Sequence, residues 1–289
     1  KEHGQRHFIM LSGHWKSVLD AYQRESGFVC SVECLRMDYG VTPSWRGFCD
    51  PGSLYHTTWL FGTPEQAMEY TIQADSRPAI PFEERGPRYV VHGGGWGMGT
   101  YLDRMEELES LGQLDITLHS EKEMENAKAK NNYYLIDPNW SPWMRNDNGR
   151  HIFPPTRWML HEPDYITSEE HPYLYDVCRK ALAIISKPGG GTLLDAICTA
   201  TPVVFLEPIA EHERCNAQLF EQIGCGIFLE NWKAEGFSKE VLHRLHENLV
   251  NIRNQAKDFM PFLLKKWGFS SSADAAIQNN REASEWALK

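Results

Sequence analysis

The sequence predicts an α/β protein built on parallel sheet, and three stretches predict it. Ala181–Ile185 is short, apolar and β-compatible, Pro188–Gly191 breaks it, Thr192–Cys198 resumes with helical spacing, and Val203–Leu206 returns to strand. A strand–helix–strand unit of that length is a crossover, and crossovers join parallel neighbours. Upstream, Tyr89–Val91 runs into Gly93, Gly94, Gly95, Gly97 and Gly99, and Tyr101–Leu111 then places Leu102, Met105, Leu108 and Leu111 at helical spacing. Near the start, His7–Leu11, Lys16–Gln23 and Phe28–Cys34 make a third strand–helix–strand unit.

The chemistry sits at the two glycine corners. Gly190, Gly191 and Thr192 open a helix with bare backbone N–H groups and a hydroxyl at the positive end of the helix dipole, which suits a phosphate. Lys187 stands directly before that corner and adds a full charge, and Asp195, about one turn into the helix, can bond a ribose hydroxyl. The plainer alternative for one such corner is a tight turn beside a solvated lysine. Neither corner has the spacing of a Walker loop or of the dinucleotide fingerprint, so a nucleotide-hydrolysing P-loop is not expected.

Taken together, the corners resemble the donor-binding half of glycosyltransferases of the GT-B fold, in particular the group holding the peptidoglycan N-acetylglucosaminyltransferase and the natural-product glycosyltransferases of antibiotic biosynthesis. Four features carry the resemblance in order: the loop Gly93–Gly97, the stretch Lys187–Asp195, the strand Thr201–Pro208 with its "TPVVFLEP" run, and the polar loop Glu211–Ala217 ending in Asn-Ala. The resemblance implies two Rossmann-like parallel-sheet domains facing a cleft. It implies an acceptor-side domain over 1–82, a donor domain over 83–268, and a C-terminal helix within 269–289 that crosses back, Ala283–Leu288 being the candidate. The family's opening strands and its glycine-histidine loop have no counterpart here, so the N-terminal domain is expected to be incomplete.

Residue by residue, the resemblance places Gly94, Gly95, Trp96, Lys187, Gly190, Gly191 and Thr192 at the donor diphosphate and Asp195 at the ribose. His212, Glu213 and Asn216 would face the transferred sugar, with His212-Glu213 standing where many relatives have an acidic residue and glutamine. Arg157 or Trp158 would meet the base, with ordinary packing as the alternative. His14, after a strand and at a helix start, is the candidate general base, with Asp20 or Glu33 to orient it and a capping or surface histidine as the alternative. The implied reaction is inverting transfer from a UDP- or dTDP-linked sugar to a small soluble acceptor. No metal is expected: there is no Asp-x-Asp pair, and loop amides, the helix dipole and Lys187 can stabilise the leaving diphosphate. A nucleotide-sugar epimerase and a non-catalytic donor-binding subunit are the competing readings.

Elsewhere, Glu65–Gln73 is predicted helical after Thr63-Pro64, Ser76–Pro87 is the expected linker, and a charged helix is expected over Glu121–Lys130. A loop covers Pro138–Arg157, and helices are expected at Glu170–Lys180, Gln218–Ile223, Lys239–Phe262 and Ala273–Leu288, with an edge strand at Gly226–Leu229. The aromatic run Trp45, Phe48, Tyr55, Trp59 and Phe61 belongs to core packing before sugar stacking.

Among 289 residues, 42% are hydrophobic, enough for a substantial core, and a net charge of −10 argues against broad binding of nucleic acid or anionic membrane. Seven scattered cysteines form neither a zinc pattern nor a disulfide framework, so buried free thiols and a cytoplasmic setting are expected. No apolar run reaches transmembrane length, and integral membrane association is not expected. Lys265 and Lys266 beside Trp267 form the one basic-aromatic spot. A homodimer is the expected assembly.

Overall fold

The computed structural model describes residues 4–48, 54–94 and 97–269. Its first sheet holds β1 (His7–Met10), β2 (Ser31–Arg36) and β3 (Tyr55–Trp59), all parallel, with α1 (Lys16–Ser26) crossing from β1 to β2. Gly27 ends α1 at φ 74°, the left-handed cap that glycine adopts without a Cβ penalty. Met10, Leu19, Val32, Cys34, Trp45 and Tyr55 form its core.

The stretch expected to be helical at Glu65–Gln73 is instead a turn followed by β4 (Tyr70–Thr71). Thr63 Oγ1 accepts the Gln66 N–H at 3.1 Å, so the capping residue closes a local turn rather than a helix. The chain then reaches the second sheet through Ser76–Pro87, and this connection is pinned. Arg179 and Arg253 each donate to a carbonyl of it, at Pro78 and Arg77, and Phe82 is buried in the core that follows.

The second sheet contains β5 (Arg88–His92), α2 (Met105–Leu111), β6 (Gln113–Leu118), β7 (Asn132–Ile136), β8 (Thr156–Trp158), α3 (Tyr173–Lys180), β9 (Ala183–Ser186), α4 (Gly190–Thr199), β10 (Val203–Phe205), α5 (Glu211–Gln222) and β11 (Gly226–Phe228). The strand order is β11-β10-β9-β5-β6-β7-β8, with only β8 antiparallel. Strands β5, β6 and β7 progress one way, then the chain returns to place β9 on the other side of β5. The crevice at the C-terminal ends of β5 and β9 is therefore a topological switch point, where open α/β sheets bind ligands. Buried Val91, Ile116, Leu135, Ile185 and Val204 belong to one core cluster; Leu193, Ile197, Val203, Phe220 and Leu249 belong to a second.

Four further expectations are corrected. The charged helix at Glu121–Lys130 shortens to a 3₁₀ turn, Glu121–Asn126, and the predicted loop ends in β8. Glu211–Ala217, expected as a polar loop, forms the opening turns of α5, because Glu213 and Asn216 point inward and find buried partners. The helix expected over Lys239–Phe262 divides: after the short α6 (Leu229–Ala234), α7 (Lys239–Gln255) ends before β12 (Lys257–Asp258), which pairs with β4, and α8 (Phe259–Lys266) follows.

Helix α8 lies on the first sheet, where Phe259 and Leu263 pack with Leu35 and Leu60. Lys266 pairs with the buried Glu33 at 3.0 Å, and Trp267 Nε1 donates to Ser31 Oγ at 3.1 Å, so two members of the basic-aromatic spot are held by β2. Ala283–Leu288 lies outside the described residues. Among the described residues no helix is long and apolar enough to cross a membrane. The described cysteines are buried, except for the half-buried Cys215.

Candidate functional site at the sheet switch point

At the switch point the two glycine corners meet. After β5, the Gly99 N–H donates to the Gly93 carbonyl and the Gly97 N–H to the Gly94 carbonyl, both at 3.0 Å, folding the loop back on itself. Gly94 sits at φ 79°, and a Cβ there would lie 2.8 Å from Lys187 Cε. Only a glycine lets the first loop press against the lysine of the second. Gly95 and Trp96 lie outside the described residues.

Lys187 is buried at the end of β9, and its ammonium pairs with the buried carboxylate of Glu213. Glu213 also accepts the Ile209 N–H at 2.8 Å, so both its oxygens are engaged. Pro188 then turns the chain, the Gly189 N–H reaching the Lys187 carbonyl at 2.9 Å, and α4 begins at Gly190 with no side-chain cap on its N-cap residue, Gly189. Gly191 is exposed with open space beside it, while Thr192 is buried. The arrangement is a helix N-terminus flanked by a lysine, with amide donors and positive dipole directed at the crevice.

Asp195 is an exposed residue of α4, yet protein mass crowded around its carboxyl pushes its pKa up to about 7. The side chain's exposure moderates that shift.

His92 ends β5 beside Lys187. Burial, then the nearby His119 and Lys187, lower its pKa to about 4, so it is neutral at pH 7. Its Nδ1 accepts the Gly94 N–H at 3.0 Å and lies 3.3 Å from Ser186 Oγ. His119, just beyond β6, packs 2.8 Å from where a Gly97 Cβ would stand, and its buried Nε2 has no partner among the described residues. His92 was legible in principle, since it precedes a glycine loop as Lys187 does; His119 had no such signal.

His212, Glu213 and Asn216 occupy the first two turns of α5. Asn216 is fully buried and joins three segments: its Nδ2 donates to the Pro188 carbonyl at 3.0 Å and to Asp38 Oδ1 at 2.8 Å, and its Oδ1 accepts the Tyr39 N–H at 2.8 Å. Lys187, Gly190, Thr192, Glu213 and Asn216 thus converge.

Arg157 and Trp158 do not join them. They lie on the edge strand β8, four strand spacings from β9, or roughly 19 Å across the sheet. There Arg157 pairs with Glu121, and Trp158 stacks on Tyr134 and His161. His14 is exposed in the turn after β1, at the sheet edge that also carries Asp38. Its expected orienting groups are engaged elsewhere: Asp20 with Lys16 and Tyr55, Glu33 with Thr58 and Lys266.

No family model matches the chain. An alignment of 92 positions, covering 29% of the chain, is 29% identical to the processive diacylglycerol beta-glucosyltransferase of Bacillus subtilis (strain 168), over 24% of that protein. Among solved structures, MurG of Acinetobacter baumannii is similar with a TM-score of 0.44 and 13% identity, over 82% of this chain and 65% of that one. A glycosyltransferase of Streptomyces sp. SF2575 complexed with thymidine diphosphate is similar with a TM-score of 0.46 and 14% identity, over 86% and 69%. The chain resembles glycosyltransferases of the GT-B fold. The spinosyn rhamnosyltransferase SpnG, also complexed with thymidine diphosphate, is another such structure, with a TM-score of 0.39, 14% identity and coverage of 78% and 63%. The matched stretch spans about a quarter of the curated relative's length.

Proposed function

We propose that this chain serves glycosyl transfer from a nucleoside diphosphate sugar, with the diphosphate at the N-terminus of α4. The observation that carries this reading is the meeting of both glycine corners on Lys187 at the β5–β9 crevice. As the acceptor oxygen attacks the anomeric carbon, the bond from that carbon to the diphosphate breaks and its electron pair stays on the phosphate oxygen. The amides of Gly190 and Gly191, the α4 dipole and the Lys187 ammonium oppose that charge. Displacement in one step inverts the anomeric centre and needs no metal at the phosphates. Asp195 takes the ribose hydroxyls, and His212, Glu213 and Asn216 take those of the sugar. His14 is the candidate to accept the acceptor's proton.

The proposed donor is UDP- or dTDP-linked and the acceptor a small soluble molecule. A lipid acceptor is the second reading, favoured by the matched glucosyltransferase, whose name gives diacylglycerol as its acceptor, and by exposed Leu11, Trp15 and Val18 around the start of α1.

Calorimetric titration with UDP, dTDP and GDP, without and then with magnesium, tests the donor site. Binding of one nucleotide that Lys187→Ala weakens at least tenfold supports it; binding that Lys187→Ala leaves unchanged refutes it. Donor incubated alone and then with water-soluble or vesicle-borne acceptors separates transfer from epimerisation and one acceptor class from the other.

A further inference from the structure

The crevice is covered by the chain itself. Beyond β2, Met37–Gly40 crosses from the first sheet to the N-termini of α4 and α5 and closes on them tightly. A Cβ at Gly190 would run into the Met37 carbonyl oxygen and lie 3.0 Å from Asp38 Oδ1. A Cβ at Gly40 would lie 2.7 Å from His212 Cα. Neither glycine has a positive φ, so backbone conformation does not call for glycine at either position; the close approach does.

Asn216 fastens this strap through its bonds to Asp38 Oδ1 and to the Tyr39 N–H, both at 2.8 Å. At its root, the Arg36 guanidinium lies between the rings of Trp45 and Trp59, at 4.5 and 4.3 Å, which fixes where the strap leaves β2. The Asp38 carboxylate consequently stands at the positive end of α4, where no acidic residue of the helix's own first turn lies. Lys187, the other positive group, is paired with Glu213.

We propose that Met37–Gly40 is an autoinhibitory strap in which the Asp38 carboxylate holds the place of the donor's phosphate. A diphosphate and the Asp38 carboxylate repel one another at one helix end, and the Met37 carbonyl occupies the space beside Gly190. Nucleotide therefore enters by displacing the strap and breaking the Asn216 bonds. This rests on the donor site proposed above.

The test uses Asp38→Ala, which removes the competing anion, and Gly40→Ala, which forces the strap off α5 from outside the phosphate site. Both are titrated with UDP, dTDP and GDP beside the wild-type chain, with circular dichroism as the check on folding. The expected result is about tenfold tighter binding by each variant, and faster hydrogen exchange of the Tyr39 amide when the wild-type chain is saturated. Binding by the variants alone has the same meaning. Wild-type binding that neither variant tightens, with the Tyr39 amide equally protected at saturation, overturns the strap and leaves the donor site standing. No binding by any of the three chains overturns the donor site and the strap with it.

Discussion

Helix α4 has a buried cation at each end, and the two obey opposite electrostatics. At its C-terminal end Arg85 donates to the carbonyls of Ile80, Ala181, Thr199 and Ala200 and to Thr201 Oγ1, at 2.7–3.1 Å. These are oxygens at or near the negative end of the dipole, where a cation is stabilising. Burial lowers the Arg85 pKa to about 10, which still leaves it charged at neutral pH. It also supports Ala200, a non-glycine residue at φ 51° whose carbonyl is held by His246 as well. Lys187 lies at the other end, where the dipole opposes it and Glu213 must neutralise it. A cation placed with the field serves the fold. One placed against it, and held by a partner, is the feature on which the proposed donor site rests.

The largest effect should come from Arg85→Met. It leaves several buried oxygens without donors, and urea denaturation should show a loss on the order of 4 kcal/mol. The loss should not be recovered by any single second change, because four of the five partners are backbone carbonyls. Lys187→Met should cost about 3 kcal/mol by stranding the Glu213 charge. Here the second change Glu213→Gln should restore most of the stability while leaving nucleotide binding lost. If that pair recovers binding too, Lys187 is as structural as Arg85 and the contrast fails.

A smaller effect belongs to Asp195, between those ends. Its folded pKa, about 7, lies above the 3.8 of a free carboxyl, so the folded chain holds an extra proton between those values. Stability from this group is complete below about pH 4 and declines as pH rises towards 7. Asp195→Asn should match the wild type at pH 4 in thermal unfolding, exceed it increasingly up to pH 7, and keep a constant margin above. The smallest effect is expected at Arg157→Ala, which should alter nucleotide affinity no more than about twofold because β8 is remote from β9. A larger change would bring the base to that edge and enlarge the site.

Local pattern made much of this legible. The apolar runs gave β5, β9 and β10, the glycines gave the breaks, and Lys187 before Pro188–Gly191 identified the charged corner. Where local signals competed with long-range contacts they misled. Thr63-Pro64 has the chemistry of a helix start, yet the segment after it pairs with β12 from near the other end of the chain. The polar run Glu211–Ala217 has the composition of a loop, yet its inward carboxylate and amide are satisfied by Lys187 and Asp38, so it is helix.

The sequence alone determined the strands, the glycine corners and the residue types that can hold an anion, because periodicity and backbone permissiveness act over a few neighbouring residues. Tertiary structure decided which of them meet. Strand order put β5 beside β9 and sent Arg157 to the far edge. Burial paired Lys187 with Glu213, and the approach of the two sheets brought Asp38, 178 positions away in sequence, onto Asn216. Contacts between distant segments depend on how whole elements pack, and no local spacing encodes them.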